Sequence, residues 1–368
     1  MNIISTLKKT DKILLAAVFF LTLIGVLELA GMAQNGQITT AQLGKQIASF
    51  GIGLALMFGA ALIDYRFFKN NSYAVIFFYA ISVLLLVVLL FVGTTAKGTT
   101  GWFRLAGFAF APVETAKIVL IILLAKYFSG RHIEMYRFFH LAVSFAYVAL
   151  PGALVLLQPD LGSAIILFSL WMVIMLFAGI SKKHLVLLLA VGLLIAGTGW
   201  FYVLKDYQKN RIITFVNPYT DPQGAGYNAI QSMISVGDGG FFGKGLGYGS
   251  QIQFGFLPEA HTDFMFASVA EEFGFVGVAL VFVLLGIIAW RIMRAALAAE
   301  NNFARIFCAG FLALIFIQVV INAGMNLGLM PITGITFPFL SYGGSSLISL
   351  FIGAGVIQSI FVNPSLGS

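Results

Sequence analysis

The chain has 368 residues, 60% of them hydrophobic and 37 of them Phe, with a mean hydropathy of +0.98. Only 10% are charged, against roughly 25% in a soluble domain, which excludes an ordinary soluble enzyme and points to a polytopic membrane protein. The net charge of +7 reads as topology signal and attraction to anionic headgroups, so membrane lipids are expected partners and nucleic acid is not.

Lys8, Lys9 and Lys12 precede the first apolar stretch. No small-residue cleavage site follows it, so it reads as a retained helix and not as a signal peptide. Stretches long enough to cross a bilayer run at about 13–34, 43–64, 73–93, 113–128, 139–157, 160–179, 184–204, 263–290, 304–328 and 343–362. The fourth is short and begins after Pro112, which a first helical turn tolerates. Cys308 is the only cysteine, so no internal disulfide is possible. An even number of spans puts both ends on one side. Lys and Arg are more numerous in the segments that share the side of the N-terminus, so both termini are expected to be cytoplasmic. The expected fold is one all-α polytopic membrane unit, 1–368, with about ten transmembrane helices. A large extracytoplasmic loop, about 205–262, separates helices seven and eight.

This topology puts the loops 94–112, 205–262 and 329–342 on the outer face. The largest is too long for a simple connector. Within it Ile230, Met233 and Ile234 recur at helical spacing, as a short helix lying at the membrane interface would require. With Arg211 close in sequence, that turn is a candidate wall for a groove taking a lipid tail.

Ionisable groups inside a membrane are costly, and their positions are informative. The tract Leu257-Pro258-Glu259-Ala260-His261-Thr262-Asp263-Phe264 places an imidazole and a carboxylate where the long loop meets a hydrophobic helix. Asp263 reads either as a proton acceptor at a membrane mouth or as a helix-capping acid. His261 reads as a substrate contact or as an ordinary loop hydrogen-bond partner, and His-x-Asp is too short a pattern for a metal site. On a continuous helix Glu271 lies about 80° around from Asp263 and about 12 Å deeper, with Glu272 on the opposite face. Glu114 and Lys117 share a helix face at i, i+3; they form a self-neutralising pair or hold a cation for an anionic substrate. Trp102 and Arg104 lie just upstream, where Trp commonly anchors at the interface. Asp160 opens the sixth span and is again a cap or a ligand. Glu28 is an isolated acid in the first span with no evident role.

The Gly243-Lys244-Gly245-Leu246-Gly247-Tyr248-Gly249 tract is not a nucleotide loop: no Ser or Thr follows the lysine and no strand–helix context surrounds it. Pro338-Phe339-Leu340-Ser341-Tyr342-Gly343-Gly344-Ser345-Ser346 is polar and Gly-rich at a helix start. It allows either close helix packing or main-chain amides aimed at an anion, which makes Ser341, Tyr342 and Ser345 candidate substrate contacts.

Taken together, these tracts resemble the SEDS family (shape, elongation, division and sporulation), the RodA/FtsW peptidoglycan polymerases. The resemblance covers nearly the whole chain. It rests on Trp102-Phe103-Arg104 with Pro112–Lys117, Gln158 to Gly162, Arg211 to Pro218, Asp221-Pro222 with Gly224 to Tyr227, Gln231-Ser232, Gly243-Lys244-Gly245, Leu257 to Phe264, and Pro338 to Ser346. Gly324-Met325-Asn326 and Pro331 to Gly334 look more like RodA than FtsW. Ala111-Pro112-Val113-Glu114 departs from the family's usual Gln-Pro-Ser-Glu, while Glu114 and Lys117 stay in register.

The resemblance implies a ten-helix glycosyltransferase that polymerises lipid II outside the bacterial cytoplasmic membrane, working with a single-span class B penicillin-binding protein. It places the family's catalytic aspartate on Asp263. The residues fit such a reaction: a sugar hydroxyl attacks an undecaprenyl-diphosphate-linked glycan, inversion needs one carboxylate base, and the leaving diphosphate needs positive charge from Lys117, Arg104, Arg211 or a divalent cation, Mg or Mn. No ligand set for that ion is visible in the sequence. A lipid II flippase is the main alternative, with Glu114 and Lys117 as gating charges; a cell-wall assembly scaffold is a third.

Overall fold

The computed structural model describes residues 9–96, 99–105, 108–130, 138–202, 209, 213–224 and 226–363. Arg211 lies outside the described residues. The helices, in chain order, are α1 Lys12–Gln34, α2 Thr40–Leu62, α3 Arg66–Asn70, α4 Ser72–Val92, α5 Pro112–Ser129, α6 Phe138–Leu157, α7 Leu161–Ala178 and α8 Lys182–Tyr202. They continue with α9 Tyr227–Asp238, α10 Ser250–Gln253, α11 Met265–Ala298, α12 Asn302–Asn326 and α13 Gly344–Val362. Eight of them are long and apolar enough to cross a membrane: α1, α2, α4, α6, α7, α11, α12 and α13. Helix α5 is long but carries Glu114, Lys117 and Lys126 within its 18 residues.

The expected all-α membrane architecture is present, with one small addition. Between α4 and α5 the loop folds into a small antiparallel sheet, β1 Thr94–Ala96, β2 Thr99–Leu105 and β3 Phe108–Phe110, ordered β1-β2-β3. Thr and aromatic residues in a short polar loop suit such a surface, and β2 carries both Trp102 and Arg104.

Helix starts follow their caps. Asp11 Oδ1 accepts from the Leu14 amide at 2.8 Å, Thr39 and Gln42 form a capping box on α2, and Pro112 occupies the first turn of α5, where its missing N–H costs nothing. The longest interface runs between α2 and α13. Glycines permit it: a Cβ on Gly355 would sit 2.5 Å from the Met57 carbonyl oxygen. Helix α12 packs against α5, α7 and α11 at the centre of the bundle. At the end remote from the sheet, Asp11 ties three helices together. It ion-pairs with Arg291 of α11 and exchanges hydrogen bonds with Gln358 of α13 at 2.7 and 2.9 Å.

Helix α11 is not continuous. Gly274 has φ 66° and ψ −162°, a conformation open only to glycine. The Gly-rich tract fills the break. The amides of Lys244 and Gly245 donate to the Glu271 and Glu272 carbonyls at 3.0 and 2.9 Å, and the Phe275 and Val276 amides donate to Gly240 and Phe241 at 3.0 and 3.1 Å. The tract therefore supplies the main-chain partners that the broken helix loses.

Candidate active site

A cavity of about 760 Å³ opens at the sheet end of the bundle. Six separate parts of the chain build it: α2, the β-sheet with the start of α5, the start of α7, the start of α9 at Asn228, the turn before α11, and the 332–346 segment. It collects Trp102, Arg104, Glu114, Lys117, Asp160, Asp263, Tyr342 and Ser345 in one space. His261 and Ser341 do not line it.

Lys117 is 2% exposed and Glu114 16%, with Nζ to Oε1 at 2.8 Å. A buried ammonium needs such a partner. One turn of helix fixes both groups, and Pro112 points that turn at the cavity. Asp160 caps α7, its Oδ1 accepting from the Ser163 amide at 2.9 Å; it is both the cap and a lining residue.

Asp263 is not the cap of α11. Phe264 takes that position without a side-chain cap, and α11 starts at Met265. The aspartate belongs to a turn in which its own amide donates to the Glu259 carbonyl at 3.1 Å. Two asparagines one helical turn apart on α12 hold that turn. Asn322 Nδ2 donates to the Asp263 carbonyl at 3.0 Å and to the Ile335 carbonyl at 2.6 Å. Asn326 Nδ2 donates to the same Asp263 carbonyl at 3.1 Å, and Asn326 Oδ1 accepts from the Ala267 amide at 3.1 Å. Both asparagines are fully buried.

Helix-face counting from Asp263 therefore does not apply, and Glu271 does not share the cavity. Its Oε1 accepts from Ser250 Oγ and the Gln251 amide at 3.1 and 2.9 Å, under the loop. His261 supports the wall from behind: its carbonyl accepts from the Tyr342 amide at 2.9 Å, and its ring lies 5.5 Å from that of Tyr342. Ser341 is buried, its hydroxyl accepting from the Phe337 amide at 2.9 Å. Ser345 Oγ accepts from the Ala111 amide and donates to the Ala109 carbonyl, at 3.0 and 3.1 Å, tying the sheet to α13. Burial of Tyr342 pushes its phenol above the ordinary range.

The sequence reading missed several residues. Lys45 lines the cavity, and its neighbour Gln46 clamps the start of α13, donating to the Ser341 carbonyl and accepting from the Gly343 amide, both at 3.2 Å. Asn322 and Asn326 were visible as polar residues at i, i+4 in an apolar span, a pattern that marks an internal partner. Glu259 and Thr262 also line the cavity. The expected lipid-tail wall at Ile230, Met233 and Ile234 lines neither this cavity nor the apolar groove nearby. That groove, of about 290 Å³, lies between α2, α4, α5 and α13, beneath residues such as Ile118, Ile122 and Ile352.

Among the described residues no three His, Cys, Asp or Glu side chains are grouped to hold a metal ion. Glu114 is committed to Lys117 and Asp160 to its helix. These donors do not make a protein-built metal centre.

The model of the FtsW, RodA and SpoVE cell cycle proteins matches residues 8–365. The chain belongs to the FtsW/RodA/SpoVE family. It is 33% identical over 364 residues to the peptidoglycan glycosyltransferase MrdB of Escherichia coli K12, covering 98% of this chain and 97% of that protein. A chain solved in a study of polymerization and crosslinking by a peptidoglycan synthase complex superposes with a TM-score of 0.81 at 34% identity, over 96% of this chain and 97% of that one. The rod shape determining protein RodA of Thermus thermophilus superposes with a TM-score of 0.72 at 31% identity, over 97% and 98%. In this family member the motif tracts distant in sequence thus meet at one end of a helical membrane bundle.

Proposed function

We propose that this FtsW/RodA/SpoVE protein is a peptidoglycan glycosyltransferase that polymerises lipid II at the outer face of the bacterial cytoplasmic membrane, in the elongation role of RodA. The observation that carries the reading is the convergence of Asp263, the Glu114–Lys117 pair, Arg104 and Asp160 on one cavity. Both termini are then cytoplasmic, and the cavity faces outward, where lipid-linked sugar is presented. A class B penicillin-binding protein is the partner that crosslinks the product.

In this reading Asp263 Oδ takes the proton from the attacking hydroxyl of lipid II. The new bond forms from that oxygen to the anomeric carbon of the undecaprenyl-diphosphate-linked glycan. The bond from that carbon to the diphosphate oxygen breaks with inversion. Lys117 and Arg104 meet the charge that grows on the leaving diphosphate. Glu114 keeps Lys117 in place, and Asn322 and Asn326 keep the Asp263 turn in place. The apolar groove beside α5 takes part of the polyprenyl tail.

The test uses the purified protein with its penicillin-binding partner and labelled lipid II, read as glycan chains on a gel. The native chain is expected to make polymer, and Asp263→Asn, which preserves size, is expected to make none while unfolding at the native temperature. Normal polymer from Asp263→Asn removes it as the base. Lipid II translocation across liposomes by the native protein, without polymer, replaces the enzyme with a flippase.

A further inference from the structure

Three carboxylates that the reaction does not use lie buried where α1 meets the break in α11. Glu28, Glu271 and Glu272 are each 0% exposed. Glu271 is compensated: it accepts from Ser250 and Gln251, and Lys244 Nζ stands 3.7 Å from its Oε1. Glu28 and Glu272 are not. Their carboxyl groups contact each other across the two helices, the Gly247 and Gly249 amides lie toward the Glu272 carboxylate, and both Glu28 oxygens are buried with no partner outside the pair among the described residues. No described ammonium or guanidinium pairs with either; Lys244 is taken by Asp238, Ser250 and Glu271. Among the described residues, Glu271 is the titratable group that faces the pair, and Lys244 and Asp238 stand beyond it. Two adjacent buried carboxylates without a counter-ion cannot both stay charged.

We propose that Glu28 and Glu272 form a proton-binding site in which one proton is held between the two carboxyls and latches the Gly-rich loop and the break in α11 onto α1. The surrounding geometry makes the proton a structural tie. Asn35, the C-cap of α1, donates to the Gly247 carbonyl at 2.7 Å, and Gly249 is packed so closely that a Cβ would meet both Glu271 and Glu272. Removing the proton puts two like charges side by side in an apolar interface. It thereby loosens the loop from α1, and with it the helical segment that follows the Asp263 turn. This inference does not depend on the polymerase reading.

Thermal unfolding of the detergent-purified chain tests it, comparing the native protein with Glu28→Gln, which carries a fixed N–H donor in place of the proton. A proton held by the fold and released on unfolding makes native stability fall as pH rises above the ordinary carboxylate range. Glu28→Gln lacks that slope, so its midpoint is expected to gain at least ~2 °C on the native chain between about pH 5 and about pH 8. The infrared stretch of a protonated carboxyl is expected in the native chain and lost in Glu28→Gln. Where Glu28→Gln does not fold, Glu272→Gln serves the same comparison. A midpoint gap constant across pH, or an unchanged infrared band, overturns the proposal. A gap that follows sodium concentration at fixed ionic strength and ignores pH assigns the site to a metal cation and also overturns it.

Discussion

Lys117 Nζ lies 2.8 Å from Glu114 Oε1, with the lysine almost wholly buried in the wall of the cavity. Burial of that kind makes the two groups interdependent. Removing one partner of a buried pair costs about 3–5 kcal/mol, because it leaves the other charge uncompensated. Lys117→Ala is therefore expected to lower both the unfolding temperature and polymer yield. Lys117→Met with Glu114→Gln, which removes both charges, is expected to recover stability but not polymer. Recovery of both in the double variant would make the pair purely structural. Lys117→Arg is expected to recover activity only in part, since a planar fork does not replace a compact ammonium.

The carbonyl of Asp263 is held by two amides of α12, at 3.0 and 3.1 Å. Asn326→Leu keeps the volume and removes the donor. It is expected to lower kcat by 10-fold or more with a smaller change in KM, because a small displacement of a base acts on the chemical step. Asn322→Leu is expected to have a comparable effect, since it also releases the Ile335 carbonyl as Asn326→Leu releases the Ala267 amide. Steady-state polymerisation kinetics separate the two effects, and an unchanged kcat in both variants removes the positioning role.

Gly274→Ala is expected to destabilise the fold by about 1–3 kcal/mol from backbone strain alone. Its Cβ would also stand 2.3 Å from the Gly243 amide nitrogen. Thermal unfolding measures the sum, and proteolysis near the Gly-rich loop is expected to speed up. A variant as stable as the native chain would mean that the loop is not the required partner of the helix break.

Hydrogen bonding to Lys244 holds the Asp238 carboxyl below the usual carboxylate range, and Asp238 raises Lys244 in turn. For a lowered carboxyl the sign is fixed: its stabilisation is present above the unfolded carboxylate range and is lost as pH falls through the lowered value. The pair is substantially exposed, so Asp238→Asn is expected to cost under ~1 kcal/mol at neutral pH and nothing in acid. Lys244→Met is expected to cost more at neutral pH, because Lys244 is also the cation beside buried Glu271. Unfolding midpoints across acidic and neutral pH compare the two. Equal costs would show that Lys244 does nothing for Glu271.

Hydrophobic run length alone determined that this chain is a helical membrane bundle, and roughly where each long helix lies, because apolar composition and a bilayer's thickness set both. Local polarity also exposed Asp263, Glu114, Lys117, Trp102, Arg104 and Asp160, since charges and indoles stand out in an apolar sequence. Their meeting in one cavity was not legible, because it depends on how α2, α5, α7, α11, α12 and α13 pack. The same is true of Asn322 and Asn326: spacing shows that they share a face of α12, and only the fold shows that this face meets the Asp263 turn. Helical counting failed from Asp263 to Glu271 because it assumed a helix already begun. It could not reveal the break at Gly274, where main-chain bonds come from a loop some thirty residues earlier in the chain. Glu28 was an isolated acid in the sequence, and tertiary packing decided that its neighbour is Glu272. Side-chain burial and charge pairing are properties of elements brought together, and no single helix specifies them.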